Sequence, residues 1–428
     1  MKEIARLELG YYWPDGRRAF TVVDTEGNRH RGVLDDPDLV GEYLDYLDSL
    51  GLEPPIVTGV GPGGPAPAAT QAPHPSAAPP PGPPIATAGD AGEKVFKRGE
   101  SVADVAPIPM DKIGYLFATA ARAPSLHNTQ PWRFGVEGSA LEVHADRSRL
   151  LHNSDPTGRE MLISCGAALF GLRLAVRGIG YLPLVQLLPS RADYDLLARV
   201  RLGASVPMTS GERHLLAAIS HRHTHRGPFN GDPLPPGMLA GLQRDAAAEG
   251  ATLVLLDRPG PYQQLAELVS AAERAQNENS LMRAERRRWT RRPGSPAGDG
   301  VPVRAYAAEP AHLPGALAPR DFDLGRHWGQ LEAGGASPQI TAILTTMGDE
   351  RADWLRAGQA LHRLLVHAAS RWVFASLHTQ PLESAPLRAE ITERLHLPGA
   401  PQMLLQFGRA GTTQVTPRRP VEEMLIEP

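Results

Sequence analysis

The sequence predicts an α+β protein made of a small N-terminal module and a large domain joined by a linker. Three observations carry this reading. From about residue 99 onward, apolar runs at helical spacing alternate with short strand-like runs. Residues 1–57 show period-two alternation followed by one amphipathic helical pattern. Between them, Gly59 to Gly92 hold 10 Pro and 7 Gly in 34 residues, so half the positions disfavour helix and strand.

The N-terminal module (1–57) reads as ββα, with room for a third strand. Leu7, Leu9 and Tyr11 alternate, Pro14-Asp15-Gly16 is a turn signal, and Phe20 and Val22 resume the alternation. Glu26-Gly27-Asn28 is a second turn. Asp36 is an N-cap with Pro37 in the first helical position, and Leu39, Val40, Tyr43, Leu44, Leu47 and Leu50 follow at helical spacing up to Gly51. A core this small is marginal, and the module's role is not readable: it is either a solvated accessory domain or an element that docks on a protein partner. The linker (58–98) is expected to be disordered. In polyproline geometry its Pro-rich part would span up to about 100 Å. Its GVGPGG start lacks the strand and helix that a phosphate loop needs on either side.

Composition narrows the class. The chain has 428 residues, 42% of them hydrophobic, ample for a large core. A net charge of -3 gives no reason to expect nucleic acid or a membrane surface as a partner. Cys165 is the one cysteine, so no internal disulfide can form, and among small apolar residues it reads as an inert buried thiol. Met1 to Gly10 lacks the apolar core of a signal peptide, and no run is expected to approach the ~18 apolar residues of a membrane span. A cytoplasmic protein is the expectation.

In the large domain (99–428), Met110 to Arg122 reads as a helix that Pro124 and Ser125 break. His127, Asn128, Thr129 and Gln130 then place four polar side chains in a row, and Trp132 to Val143 enters strand pattern. Such a junction presents several donors and acceptors to one flat ligand; it is also what an ordinary helix–loop–strand turn looks like. Asp155-Pro156 starts a helix that is apolar on most sides through Met161, Leu169 and Leu174 and ends at Gly178 or Gly180. Leu184–Leu188 and Leu197–Leu202 read as strands, and Glu212–Ser220 as a helix. The following HRHTHR stretch could be a metal site of His221, His223 and His225, but alternate residues do not share a helix face and no Cys or carboxylate completes the set. Its arginines and threonine suit an anion instead. Ala271 to Arg292 reads as one basic helix with a solvated face and a buried Trp289. An irregular insertion spans about 275–340, a length typical of a binding loop. Asp353 to Leu377 reads as an amphipathic helix with Trp354, Leu361, Leu364, Leu365 and Trp372 on its buried stripe, and Gln402–Phe407 as a buried strand.

The run PSLHNTQPW (124–132) resembles the flavin-facing segment of the nitroreductase superfamily, and with His127 and Thr129 it is most similar to the Acg family of nitroreductase-like FMN-binding proteins. DPTGRE, the SCGAAL helix and TPRRPVEEML near the C-terminus look like the same family. Arg222, Thr224 and Arg226 match the RxSxR phosphate and flavin signature, with Thr for Ser. The resemblance covers about residues 110–428. It implies a nitroreductase-like α/β/α sandwich of two fused halves that mimic a dimer, because the two motifs occur in reversed order; no internal repeat is evident by eye.

The resemblance also implies the site. Asn128 would bond the isoalloxazine edge, with Ser125 and Gln130 in the same wall. Arg222 and Thr224, with Arg418 and Arg419, would hold the FMN phosphate. Arg226 would sit near N1 and the C2 carbonyl, and SLHTQP (376–381) would lie near N5. The insertion would be a lid. No catalytic residue is assigned and no metal is expected. The implied function is hydride transfer from NAD(P)H to a small acceptor through FMN. The alternative is an FMN-binding or sequestering protein without turnover. The chain would act as a monomeric pseudo-dimer or a homodimer.

Overall fold

The computed structural model describes residues 105–308, 317–330, 340–410 and 416–426, together with the backbone of three strands nearer the N-terminus. The chain divides into two units, Met1–Pro84 and Ile85–Pro428. In the first, β1 (Ile4–Tyr12), β2 (Arg18–Asp24) and β3 (Arg29–Leu34) form an antiparallel sheet in that order. The optional third strand of the sequence reading is therefore present. The helix expected at 36–50 and the linker lie outside the described residues.

In the second unit eight α-helices fall among the described residues: α1 (Ile113–Ala120), α2 (Arg159–Gly178), α3 (Ser210–Ala218), α4 (Met238–Ala248), α5 (Pro259–Glu278), α6 (Ser280–Trp289), α7 (Arg351–Ser370) and α8 (Ala385–Arg394). Strands β4 (Trp132–Glu137), β5 (Ala140–Ala145), β6 (Tyr181–Leu187) and β7 (Leu196–Ser205) make an antiparallel sheet ordered β4-β5-β7-β6. Strands β8 (Ala251–Leu255), β9 (Ile340–Thr346), β10 (Val373–Leu377) and β11 (Ala400–Arg409) make a second, ordered β8-β9-β11-β10. Counted along the chain, each sheet runs first, second, fourth, third, and each has a 20-residue helix, α2 or α7, between its second and third strands.

These two helices form the centre. Helix α2 packs Leu169, Leu172 and Val176 with Leu141, Val143 and Val200 of the first sheet. Helix α7 packs Leu361, Leu364 and Leu365 with Leu344 and Leu405 of the second. The helices meet where neither has a side chain: a methyl on Gly166 would run into the Leu355 carbonyl, and one on Gly358 into the Ile163 carbonyl. With a sheet on one side and a helix on the other, α2 is apolar nearly all round. Contrary to the expectation that no run approaches a membrane span, it is long and apolar enough to be one. Within the protein, 89% of that window is buried. Asp155 anchors its start by accepting from the backbone N–H groups of Glu160 (3.1 Å) and Met161 (2.8 Å). Cys165 is buried on it, its thiol pushed up in pKa by burial and directed at the Pro131 carbonyl (3.2 Å).

Several expectations are corrected. The helix read at 353–377 ends at Ser370; Trp372 takes a positive φ of 55° and is 46% exposed, and 373–377 is strand β10. The basic helix read at 271–292 is two helices parted at Asn279, whose side chain accepts from Leu281 and Met282 N–H and caps α6. Its arginines are not all solvated, because Arg286 is buried against Glu273 (3.0 Å). The insertion read at about 275–340 falls within the connection from β8 to β9, residues 256–339.

Candidate functional site

The site begins where α1 stops. Pro124 and Ser125 end the helix, and His127, Asn128 and Gln130 all adopt positive φ, 49°, 56° and 51°. Such conformations persist only where surroundings hold them. Here the Ser125 hydroxyl accepts from Gln130 N–H (2.9 Å), and Arg149 donates to the Thr129 carbonyl (2.8 Å).

The polar side chains of this turn are mostly spoken for. Asn128 Nδ2 donates to the carbonyls of Gly300 (3.0 Å) and Pro417 (3.1 Å), and its Oδ1 accepts from Arg418 (3.2 Å). Gln130 Nε2 donates to Gly298 O (2.9 Å) while its Oε1 accepts from Arg419 N–H (2.9 Å). The turn is thus stitched to the insertion and to the C-terminal segment. Asp299 reinforces the seam by pairing with Arg149 and Arg291.

Arg222, Thr224 and Arg226 lie on an extended segment beside β10: Thr224 bridges Ala375, and His225 N–H donates to the Ala375 carbonyl (2.9 Å). Because this stretch is extended and not helical, alternate side chains do share a side, contrary to the argument used against a metal. The three histidines nevertheless go to separate partners: His221 stacks on Trp372, His223 is buried, and His225 meets Phe229 and the Pro228 carbonyl. No group of His, Cys, Asp and Glu able to hold a metal occurs among the described residues.

Charge at the site is one-sided. Arg418 caps the C-terminal end of α1, donating to the carbonyls of Ala121, Arg122 and Ala123 (2.9–3.1 Å). Arg222 joins it on the Arg122 carbonyl (3.0 Å). Burial, Arg226 and Arg122 pull Arg222 down to about 10; burial and Arg320 pull Arg226 down to about 10; burial, Arg222, Arg122 and Arg226 hold Arg418 well below its usual range. No carboxylate among the described residues offsets any of the three. Arg222 Nε and Nη1 and Arg226 Nη1 are buried without a hydrogen-bond partner among those residues. A buried cation cluster with unpaired donors is built for an anion. Arg419, adjacent to Arg418, pairs with Glu423 (3.3 Å), and its Nη1 is buried without a hydrogen-bond partner among the described residues.

The sequence reading missed a second group. Phe322, from the insertion, meets His127 edge-on at 5.4 Å, carries Arg226 over its ring at 5.5 Å, and lies 6.2 Å from Tyr306. His378 Nδ1 donates to the Ala318 carbonyl (3.1 Å), its Nε2 accepts from the Ser376 hydroxyl (3.1 Å), and burial lowers it to about 4. Beneath them runs a buried ionic network of Arg286 with Glu273 and of Arg320 with Glu383, bridged by Gln276.

Two sheets with one strand order and a shared helix pair, with an arginine cluster beside the 124–132 turn, define an α+β protein. No family model matches the chain. It is 33% identical over 316 residues to Rv3131 of Mycobacterium tuberculosis, a protein named by assignment as an NAD(P)H nitroreductase; the match covers 72% of this chain and 89% of that one. It is 29% identical over 322 residues to Acg of the same organism, similarly named, covering 74% and 96%. Among solved structures, a nitroreductase with bound FMN from Desulfitobacterium hafniense has 12% identity and a TM-score of 0.29, over 50% of this chain and 94% of that one. A BluB-like flavoprotein from Clostridium difficile has 12% and 0.32, over 49% and 96%. The chain belongs to the Acg-like nitroreductase family.

Proposed function

We propose that the chain is an FMN-dependent oxidoreductase that takes electrons from NAD(P)H and delivers them to a small acceptor. The observation that carries this reading is the arginine cluster of Arg222, Arg226 and Arg418 with its unpaired buried donors. An FMN phosphate, doubly charged and rich in acceptor lone pairs, fits such a set. Bound there, FMN would supply two-electron chemistry. Arg222 and Thr224 would hold the phosphate, Arg418 would add charge while bracing α1, and Arg226 would set a fixed cation beside the ring. Asn128, Gln130 and Ser125 would shape the wall by holding the turn and the insertion together.

A second reading has its own support. The insertion is stitched across the turn at Gly298 and Gly300, as suits a lid, and a lid that stays shut favours an FMN-holding protein without turnover. The equal strand orders of the two sheets support a duplicated origin, two halves standing in for a dimer. A cytoplasmic location, and a partner-docking role for residues 1–57, complete the reading.

Two measurements test it. The visible spectrum of the purified protein should be yellow and bleach within seconds of anaerobic NADPH; a yellow protein that stays oxidised selects the second reading, and one that takes up no FMN removes both. Arg222→Ala should weaken FMN by roughly ten- to a hundred-fold, the loss of one charge-assisted bond. Riboflavin, without the phosphate, should be nearly unaffected. Equal losses for both would refute the phosphate assignment.

A further inference from the structure

We propose that His127 is the polar residue of the 125–130 turn that hydrogen-bonds the flavin ring, in the role expected of Asn128. The inference rests on the FMN reading above and goes beyond it by naming a contact that the motif did not.

Asn128 has little left to offer. Both protons of its amide are on the carbonyls of Gly300 and Pro417, and its oxygen holds Arg418. Turning it toward a ligand would undo the seam between the turn, the insertion and the C-terminal segment. His127, one residue earlier, is the reverse case. Its side chain is buried, and neither Nδ1 nor Nε2 has a hydrogen-bond partner among the described residues. Two unpaired polar atoms on one buried ring are costly unless something binds there.

The surroundings point to what that is. His127, Arg226 and Tyr306 all gather round the Phe322 ring, and each keeps a buried polar atom unpaired: both imidazole nitrogens, Arg226 Nη1 and Tyr306 Oη. Three groups with unused hydrogen-bonding capacity around one aromatic ring suit a flat, heteroatom-rich ligand. Burial, with Arg320, Arg286 and Arg226 nearby, keeps the imidazole neutral. A neutral imidazole has one N–H donor and one lone-pair acceptor. That pair matches a ring edge that carries a carbonyl beside an N–H. The arginine cluster takes the other, anionic end. The left-handed backbone at His127 then has a purpose: it turns this side chain inward and leaves Asn128 to fasten the seam.

The test uses the full chain, labelled with 15N-histidine, and follows the imidazole nitrogens by NMR. The His127 signals are assigned by their loss in His127→Asn and His127→Gln. Asn tolerates the left-handed backbone but is too short to reach. FMN and riboflavin should both shift the His127 nitrogens, and inorganic phosphate should not. Riboflavin binding, read by fluorescence quenching, should weaken about tenfold in His127→Asn and stay unchanged in Arg222→Ala. Should FMN bind at full stoichiometry with the His127 signals unmoved, or should phosphate alone move them equally, the inference is overturned and the flavin reading survives. A wild-type chain that takes up no FMN overturns both.

Discussion

The two sheets of the large unit share a strand order and a central helix, yet they do opposite work. In the first, β4 and β5 are joined by two residues, Gly138 and Ser139, and one face is partly exposed. That face carries Glu137, Glu142, His144 and Arg199 as a lattice of ion pairs. In the second, the same connection is stretched into the insertion, and the sheet is covered on both faces. Leu344 and Leu405 face α7, while the neighbouring Ile343 and Leu404 face α5 and α8. Its ion pairs are buried: Arg320 with Glu383, Arg286 with Glu273. The same topology therefore gives a scaffold in one half and an elaborated site wall in the other. The difference lies in one connection, and it should be visible in how each half answers to mutation.

The largest effect should come from what both halves share. Gly358→Leu forces a side chain into the Ile163 carbonyl, where backbone opposes backbone and no rotamer can yield. A loss of about 3 kcal/mol or more is expected by chemical denaturation, with both sheets unfolding together. If one half melted alone, the helix pair would not be the common core.

Next should be the buried ion pair of the elaborated half. Arg320→Met leaves Glu383 buried with Gln276 as its remaining partner. Removing one member of such a pair costs about 3–5 kcal/mol. Restoring an apolar match with the double change Arg320→Met and Glu383→Leu should recover much of it. Failure of that recovery would mean the pair also organises the insertion.

This contrast explains what was legible in the sequence. The first sheet alternates, so β6 and β7 are legible in Leu184–Leu188 and Leu197–Leu202, while β4 and β5 read as one stretch because the Gly138-Ser139 turn between them is short. The covered sheet does not alternate: ATLVL and ITAILTT are apolar or small on both faces, as strands buried on both sides are. β8 and β9 carry no period to read, and β10 was absorbed into a helix because Trp372 happens to continue the helical spacing. The site divided likewise. The turn at 124–132 and the Arg222–Arg226 segment announce themselves by local residue type. Phe322 and Arg320 are nearly two hundred residues from His127, and no local pattern links them.

A smaller effect should appear with pH at the seam between the halves. His362 of α7 is bonded through Nδ1 to the Ala167 carbonyl of α2 (2.7 Å), and burial, Arg222 and Arg418 lower it to about 3. Its folded pKa is depressed, so its contribution is complete above the unfolded value of about 6.5 and is lost as pH falls, because the unfolded chain takes up a proton that the fold refuses. Between pH 7.5 and 5.5 this amounts to about 1.4 kcal/mol. The stability difference between wild type and His362→Gln should shift by that much over this range. A constant difference would mean that the fold does not depress the His362 pKa.

The smallest effect should be on the first sheet's partly exposed face. Glu137 pairs with Arg199, which also holds Glu142 (2.7 Å), and Glu142 in turn holds His144 (2.9 Å). Glu137 is mostly exposed, so its attraction to Arg199 is weakened by water and salt, and ordering two long side chains offsets part of the gain. Arg199 keeps Glu142 when Glu137 is removed, so no charge is stranded. Glu137→Ala should therefore lower stability by less than about 1 kcal/mol. That loss should fade as salt is raised, whereas the Arg320→Met loss should not, because its pair is shielded from counterions. A loss at Glu137 as large as that at Arg320, and insensitive to salt, would mean that the first sheet's outer face is covered in solution. The contrast between a partly exposed scaffold half and a closed site half would then have to be abandoned.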